Sequence, residues 1–270
     1  MLFLFVVCAL ASLPSLVENA GSQKKGLSAA ATRLMCDDFK VLSNISWWYD
    51  WGKDFEQFRH ACPNSNSHVP QFVLMFWSMH SNKSIHIPSD SQFLLGLNEP
   101  DHTHQAHMTP QEAAKYWPMV EKAAAGIPLV APVPAGHDFH WLDQFFAACH
   151  GCRIDYVAAH TYNCRAEEVI GYLKSLYNRY HKKVWLTEFA CAHTGDMNVQ
   201  LNFIKSVLPQ LEAADFVYRY SWFAGRIRHY NPTGFVRQSA SLLHSDSSTL
   251  TTLGQFYNNF HDGHGTSVVG

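Results

Sequence analysis

The chain has 270 residues, of which 47% are hydrophobic and 16% charged, so it can bury a substantial core and is not a disordered protein. Its formal net charge of −2, with no basic run longer than Lys24-Lys25 or Lys182-Lys183, argues against nucleic acid as a partner. Aromatic residues make up 14% of the chain and include 8 tryptophans, whose flat apolar faces suit neutral ligands such as sugar rings.

The first twenty residues predict a secretory signal peptide. Residues 2–11 form an apolar run too short to cross a membrane, and Ala9-Leu10-Ala11 matches the small-residue cleavage pattern. A buried first strand is the alternative, because the basic residues that usually precede such a run are missing. After signal removal we expect a secreted, extracellular monomer with no membrane association.

Cysteine usage fits an oxidising compartment. The chain has 7 cysteines, and Cys8 would leave with the signal. The others predict disulfides, although their number allows many pairings; they are Cys36, Cys62, Cys149, Cys152, Cys164 and Cys191. Cys149-x-x-Cys152 leaves redox or zinc chemistry as an alternative. Two sequons, at Asn44 and Asn82, predict glycosylation.

Strands and helices alternate along the chain. The predicted strands are residues 26–29, 45–51, 71–77, 94–99, 127–132, 154–160, 184–188 and 216–223. The predicted helices are residues 30–42, 54–61, 109–125, 139–149, 166–181, 198–213 and 249–260, and residues 78–92 are mostly loop. The start of the third helix is the best defined, because Thr109, Pro110 and Glu112 form a capping-box pattern.

This order of elements predicts an α/β fold, a single-domain (β/α)8 TIM barrel over residues 25–260 with a loose tail at 261–270. A doubly wound sheet is the alternative. It would require a glycine-rich phosphate loop after an early strand, and the sequence has none.

Two of the predicted strands end in glutamate. Leu94-Leu95-Gly96-Leu97 runs into Asn98-Glu99-Pro100, and Val184-Trp185-Leu186-Thr187 runs into Glu188. In a barrel both carboxylates lie at the same rim, at the C-terminal ends of strands four and seven. Glycoside hydrolysis needs such a pair, one protonated to donate to the leaving oxygen and one ionised to attack or to activate water.

Four segments together resemble the glycoside hydrolase family 128 β-1,3-glucanases, whose domain also occurs in fungal cell-wall proteins of alkali-sensitive linkage. The segments are residues 47–51 (WWYDW), 95–101 (LGLNEPD), 159–162 (AHTY) and 185–191 (WLTEFAC). The resemblance covers about residues 25–260. It implies a retaining endo-β-1,3-glucanase that needs no cofactor or metal and takes β-1,3-glucan as its partner.

The resemblance also implies roles for individual residues. Glu99 would be the acid/base, Glu188 the nucleophile, and Asn98 the partner of the sugar 2-hydroxyl. The other predicted substrate-binding residues are Trp48, Tyr49, Trp77, Asp101, His160, Tyr162 and Trp222. Trp48, Trp77 and Trp222 would be sugar platforms. Asp101 would bind a hydroxyl or cap the next turn. Thr161 departs from the bulky aromatic residue that family members commonly carry there.

Three alternatives remain open at this point. A glucan-binding wall or recognition protein would keep the groove with little turnover, and another β-glycanase would keep the chemistry with a different linkage. A zinc hydrolase would use His102, His104 and His107 of the loop after Glu99, although a loop is a weak scaffold for a three-histidine site.

Overall fold

The computed structural model describes residues 22–52, 56–63, 69–79, 87–137, 139–229 and 231–261. The predicted signal peptide, the sequon at Asn82 and nearly all of the predicted tail lie outside these residues. No helix within the described part of the chain is long and apolar enough to cross a membrane.

The strands are short and mostly buried, as expected for parallel sheets covered by helices. In chain order they are β1 (Lys25–Ser28), β2 (Trp47–Tyr49), β3 (Gln71–Phe72), β4 (Leu74–Met75), β5 (Leu94–Leu95), β6 (Leu129–Val130), β7 (Val157–Thr161), β8 (Val184–Phe189) and β9 (Val217–Phe223). Each predicted strand therefore has an observed counterpart, shorter in most cases. The predicted strand at 71–77 is split at Val73 into β3 and β4.

The helices follow the strands closely. They are α1 (Asp38–Val41), α2 (Glu56–Ala61), α3 (Pro110–Ala124), α4 (His140–Ala148), α5 (Ala166–Tyr180), α6 (Met197–Ala213) and α7 (Thr252–Asn259). The predicted capping box of α3 is confirmed, because Thr109 Oγ1 accepts from the Glu112 backbone while the Glu112 carboxylate accepts from the Thr109 backbone. The helix ends with Ala125 and Gly126 in left-handed conformations.

One predicted helix is wrong. Residues 30–42 form only a 3₁₀ turn at Ala31–Arg33 and the single turn of α1. The Asp38 carboxylate accepts a hydrogen bond of 2.8 Å from the Met35 backbone N–H, a side-chain bond of the kind found at a helix start. That bond holds the turn that precedes α1, where the predicted continuous helix is interrupted.

All strand pairs in the described residues are parallel. One sheet has the order β3-β2-β1-β9-β8-β7, and the second has the order β4-β5-β6. A parallel bridge from Val130 of β6 to Tyr156, just before β7, connects the second sheet to the first. The fold is therefore an α/β fold built on parallel sheets.

Side chains divide between two buried clusters according to strand alternation. Trp47 and Tyr49 of β2 pack with Trp185 of β8 and with residues of the second sheet in one buried cluster. Trp48, between them in the sequence, points to the other face and packs among Phe39 and Phe58 beneath the helices. The cluster that contains Trp47 and Tyr49 is rich in aromatic rings.

The six cysteines that the structure describes form three disulfides, as predicted for an oxidised chain. The pairs are Cys36–Cys62, Cys149–Cys152 and Cys164–Cys191. Cys149 and Cys152 are joined in a disulfide and therefore offer no thiolate to a zinc ion in this state. Cys164–Cys191 joins the segments that follow β7 and β8, close to Tyr162 and Glu188 in the sequence.

Candidate active site

The two glutamates occupy different backbone settings. Glu188 lies within β8, and its side chain is 7% exposed. Glu99 follows the Asn98–Val133 bridge beyond β5, donates its backbone N–H to Val133 O at 2.8 Å, and has a left-handed φ of 43°. A non-glycine residue in that region is strained, and such strain is concentrated at functional sites. The turn gives the Glu99 side chain 16% exposure.

Glu188 is held by three hydrogen-bond donors. Trp51 Nε1 donates to Oε1 at 2.8 Å, Tyr49 donates from its hydroxyl to the same oxygen at 3.4 Å, and Tyr162 donates from its hydroxyl to Oε2. Hydrogen bonds to a carboxylate are among the stronger ones in proteins, so the three donors fix the orientation of this side chain. Glu188 is thus an oriented carboxyl group with both oxygens hydrogen-bonded.

His160 of β7 lies between the two carboxylates and is 1% exposed at its side chain. Its Nδ1 is 3.0 Å from Glu99 Oε1, in hydrogen-bonding geometry. Its Nε2 is 3.4 Å from Glu188 Oε1, which gives electrostatic attraction without the alignment of a hydrogen bond. The imidazole therefore couples the two acids electrostatically.

The pKa values of His160, Glu99, Tyr49 and Tyr162 are all shifted by burial and by their charged neighbours in the site. Burial lowers the pKa of His160, but Glu188 and Glu99 outweigh it, so the pKa lies above its ordinary value. Burial raises the pKa of Glu99, but the hydrogen bond and charge of His160 and the charge of His102 outweigh it, so that pKa lies below its ordinary value. Burial and the neighbouring Glu188 raise the pKa of Tyr49 and of Tyr162 well above normal, which keeps both phenols protonated as donors.

Asn98 is buried next to Glu99. Its Nδ2 donates to Gln105 Oε1 at 3.4 Å, and no donor among the described residues reaches its buried Oδ1. Asn98 also lines the cavity described below. A buried amide oxygen on a cavity wall is suited to accept a hydroxyl of a bound ligand.

Asp101 has a backbone role instead. Its two carboxylate oxygens accept hydrogen bonds from the backbone N–H groups of Ala135 (2.7 Å) and Gly136 (2.9 Å). Asp101 thereby ties the loop after Glu99 to the loop after β6. These contacts give no support to the prediction that Asp101 binds a sugar hydroxyl. Asp101 also does not cap the next turn, as the alternative prediction had it, but links two loops.

A cavity of about 790 Å³ opens over the two carboxylates. Its polar lining includes Asn98, Glu99, His102, Gln105 and Glu188, and its aromatic lining consists of Trp51, Trp77, Tyr162, Phe223 and Phe235. The predicted platform Trp77 lies in this wall and is half-buried. The volume suits a ligand of several rings, and the mixture of flat apolar faces with acids suits a carbohydrate.

Two of the predicted platforms are wrong. Trp48 and Trp222 are both 0% exposed. Trp48 packs among aromatic rings beneath the helices, while Trp222 Nε1 donates to Ala240 O at 2.7 Å in the core. Neither ring can meet a sugar. Tyr49 is also fully buried, and it contacts Glu188 rather than the cavity.

The sequence analysis missed Trp51, Phe223 and Phe235 as individual site residues. The signal for Trp51 was present, because alternation places residue 51 on the same face as Tyr49 and opposite to Trp48. The same alternation separates Phe223 from Trp222 at the end of β9. No local pattern marked Phe235, because it lies in a loop after β9 that only the tertiary structure brings to the cavity.

One group of potential metal ligands exists among the described residues. It consists of Glu99, His160 and Glu188, whose ligand atoms lie within 4.8 Å of one another. The His160 nitrogens already face the two carboxylates, so the group is internally compensated and does not form an open coordination site. The alternative zinc site at His102, His104 and His107 does not assemble within the described part of the chain.

Comparison with known proteins places this geometry in a family. A family model described as glycosyl hydrolase catalytic core matches residues 26–257. Alkali-sensitive linkage protein 1 of Schizosaccharomyces pombe is 30% identical over 252 residues, which cover 87% of this chain and 44% of that protein. The chain thus spans less than half the length of that relative.

Solved structures of GH128 enzymes are similar over most of the chain. An endo-β-1,3-glucanase of subgroup II from Sorangium cellulosum is 33% identical, with a TM-score of 0.74 and coverage of 88% of this chain and 99% of that one. An exo-β-1,3-glucanase of subgroup V from Cryptococcus neoformans is 25% identical, with a TM-score of 0.74 and coverage of 87% and 97%. A subgroup I endo-β-1,3-glucanase from Amycolatopsis mediterranei, in complex with laminarihexaose, is 27% identical, with a TM-score of 0.67 and coverage of 88% and 99%. The chain belongs to the glycosyl hydrolase catalytic core family, and its structural neighbours are GH128 β-1,3-glucanases.

Proposed function

We propose that this protein is a secreted, retaining endo-β-1,3-glucanase in which Glu188 is the nucleophile and Glu99 the acid/base. The observation that carries the proposal is the pair of carboxylates in the cavity, with one oxygen from each within 4.8 Å of the other. Retaining glycosidases hold their carboxyl groups about 5–5.5 Å apart, whereas inverting enzymes need roughly 6.5–9.5 Å to admit a water.

The first step follows from the different environments of the two acids. An oxygen of the Glu188 carboxylate attacks the anomeric carbon, the glycosidic C–O bond breaks, and Glu99 transfers a proton to the departing oxygen. In the second step water attacks the same carbon, Glu99 takes its proton, and the ester bond to Glu188 breaks. Both carboxyl groups then return to their starting states.

Glu99 needs a proton for the first step, although its pKa is lowered in the free protein. Burial is the largest influence on that pKa, and it already acts to raise it. A sugar that covers the cavity extends the burial and shifts the balance toward the protonated acid. The proton has a short path, because His160 Nδ1 and Glu99 Oε1 are 3.0 Å apart.

Support for a closed (β/α)8 barrel comes from strand connectivity. β3 and β4 are separated by a single residue, and they pair with β2 and β5 in the two different sheets. The Val130–Tyr156 bridge joins the opposite ends of the two sheets. In such a barrel β5 is the fourth strand position and β8 the seventh, and the sites of TIM barrels lie at this carboxyl end.

The substrate and mode of cutting rest on the relatives. An endo-acting neighbour at 33% identity and a neighbour bound to laminarihexaose favour internal cleavage of linear β-1,3-glucan. The exo-acting neighbour at 25% identity supports the competing possibility, cleavage from a chain end. Early products separate the two, since endo cleavage of a long glucan gives a range of oligosaccharides and exo cleavage releases small sugars alone.

The direct test replaces each acid by its isosteric amide. Glu99→Gln should lower the rate of reducing-sugar release from linear β-1,3-glucan about 10²–10⁴-fold, and Glu188→Gln at least as much, because an amide is neither acid nor nucleophile. Oligosaccharide binding, measured by calorimetry, should persist in both. Proton NMR of fresh wild-type product should show the β anomer first, as retention requires.

A surface variant is the control, and two results would contradict the proposed activity. Glu167→Gln, at an exposed position of α5, should retain full activity. Wild-type protein that binds the glucan without releasing reducing sugar would support a glucan-binding wall protein, the alternative suggested by the linkage protein from Schizosaccharomyces pombe. Turnover of β-1,4-glucan or mannan instead of β-1,3-glucan would indicate another glycanase.

A further inference from the structure

Phe235 is an unusually exposed aromatic residue beside the acids. Its side chain is 51% exposed, and it lines the cavity that contains Glu99 and Glu188. The other exposed large apolar residues of the described chain are at 37–39% and lie outside the cavity lining; they are Tyr116, Met119, Tyr177 and Val199. A large uncovered aromatic surface in a binding cavity indicates contact with a ligand.

The Phe235 ring is oriented by two aromatic neighbours. Its centroid is 4.8 Å from that of Tyr162 at an interplanar angle of 71°, and 4.9 Å from that of His193 at 84°. Such near-perpendicular contacts are favourable ring geometries. They restrict the ring while half of its surface stays uncovered, so little side-chain freedom remains to be lost on binding.

The backbone fixes the same position. The His193 N–H donates to Phe235 O at 2.8 Å, which fastens the loop after β9 to the segment that follows β8. Tyr162, which contacts the Phe235 ring, also donates its hydroxyl to Glu188. Phe235 is therefore one aromatic ring away from the proposed nucleophile, which places it beside the sugar next to the reacting one.

We propose that Phe235 is a sugar-stacking platform that binds the apolar C–H face of a glucosyl unit adjacent to the unit attacked by Glu188. The inference rests on the proposed function for the class of ligand and adds a residue that sets affinity and chain-length preference. The ring contributes dispersion and exclusion of water over a flat face, which a branched aliphatic side chain of similar apolar character cannot match.

The test measures binding separately from catalysis. Linear β-1,3-glucan hexasaccharide is titrated calorimetrically into Glu188→Gln protein that carries Phe235→Ala, Phe235→Leu, Phe235→Tyr or no further change. We expect about tenfold weaker binding for Phe235→Ala, as is usual for loss of one aromatic contact, nearly as much for Phe235→Leu, and near-parental affinity for Phe235→Tyr. Tyr116→Ala, which removes an exposed ring of α3, should leave the affinity unchanged.

The results distinguish failure of the Phe235 platform from failure of the proposed substrate. Equal affinity of the parental, Phe235→Ala and Phe235→Leu proteins overturns the platform. Full affinity in Phe235→Leu with loss in Phe235→Ala also overturns it, since apolar volume rather than a flat face would then matter. No binding by the Glu188→Gln parent, with thermal unfolding unchanged from wild type, contradicts the proposed substrate instead. In the otherwise wild-type enzyme, Phe235→Ala should raise KM more for the hexasaccharide than for the trisaccharide, with a smaller change in kcat.

Discussion

At the level of single residues, the site depends on a buried histidine that two acids share. His160 contacts Glu99 and Glu188 from opposite ring nitrogens, and the burial of His160 and Glu188, with Glu99 only partly exposed, strengthens their interaction. Each of His160 and Glu99 shifts the pKa of the other, upward for His160 and downward for Glu99. The cluster should therefore dominate the pH dependence of both activity and stability.

The pKa shifts of His160 and Glu99 define the pH range in which these two groups stabilise the fold. His160 has a raised pKa when folded, so its contribution is full below its ordinary pKa of 6.5 and is lost as pH rises through the folded value. Glu99 has a lowered pKa, so its contribution is full above its ordinary value of 4.5 and is lost as pH falls through the folded value. Both contributions are complete between pH 4.5 and 6.5.

His160→Gln should therefore destabilise the fold most inside that window. We expect a loss of about 2 kcal/mol in the free energy of unfolding near pH 5.5, from a charged hydrogen bond replaced by a neutral one, and a smaller loss above pH 8. Denaturant unfolding of both proteins at several pH values measures the difference. A difference that stays constant from pH 5 to 9 would contradict the proposed charge state of His160.

At the level of elements, two adjacent lysines attach the first strand to the last turns of two helices. Lys25 Nζ donates to the carbonyl oxygens of Tyr257 (2.9 Å), Asn258 (3.1 Å) and Phe260 (2.6 Å) at the end of α7. Lys24 Nζ donates to the carbonyl oxygens of Leu211, Glu212 and Ala214 at the end of α6. Alternation sends the two side chains in opposite directions, and a cation near a helix C-terminus is favourable.

Lys25→Met is expected to destabilise the protein by about 2–3 kcal/mol, because it leaves buried carbonyl groups without a donor. Lys25 is fully buried, so solvent cannot replace the lost bonds. Chemical denaturation followed by tryptophan fluorescence measures the change. Lys174→Met at an exposed site of α5 is the control and should have little effect. Equal stability of Lys25→Met and wild type would rule out a capping role for Lys25.

At the level of the whole molecule, a buried ion pair joins two segments that are far apart in the sequence. Arg226, after β9, contacts the Asp38 carboxylate of α1, and both side chains are 0% exposed. Asp38 also accepts from Ser248 Oγ at 2.7 Å, while Arg226 donates to Arg33 O at 3.0 Å and Ser247 O at 2.7 Å. The pair therefore lies at the centre of a network that connects the start of the chain with the segment before α7.

Asp38→Asn should lower the free energy of unfolding by about 3–5 kcal/mol, because it leaves the Arg226 charge buried without its counter-ion. Asp37→Asn, at the exposed neighbouring position, is the matched control and should be close to neutral. Thermal unfolding of the three proteins in parallel measures the effect. A loss of similar size in both variants would assign the effect to the local turn instead of the ion pair.

The lengths of the relatives also matter at the level of the whole molecule. The chain covers nearly the whole of the solved GH128 structures but only 44% of the Schizosaccharomyces pombe protein. This chain is thus similar to nearly the whole of solved GH128 chains and to a part of a longer protein of different name. Wall attachment and partners are consequently properties to be measured for this chain.

The sequence by itself predicted most of the elements and drew attention to both glutamates. An apolar run that ends in Asn98-Glu99-Pro100 and a second that ends in Glu188 carry local signals, because strand ends and capping residues are set by neighbours along the chain. The sequence also contained a signal against Trp48 as a sugar platform. Side chains alternate between the two faces of a strand, so Trp48 points away from the face shared by Trp47, Tyr49 and Trp51. The predicted helix at 30–42 is broken before Asp38, whose carboxylate contacts Arg226 nearly two hundred residues away, a partner that no local pattern shows.

Only the tertiary structure decided which aromatic rings meet the cavity and what surrounds each acid. Trp222 and Phe223 are adjacent in the sequence, yet one is buried beneath helices and the other lines the cavity. The position of His160 between Glu99 and Glu188, the three donors to Glu188 and the exposure of Phe235 all arise from segments far apart in the chain. Their distances are fixed by packing of strands and loops, and packing has no local signature in sequence.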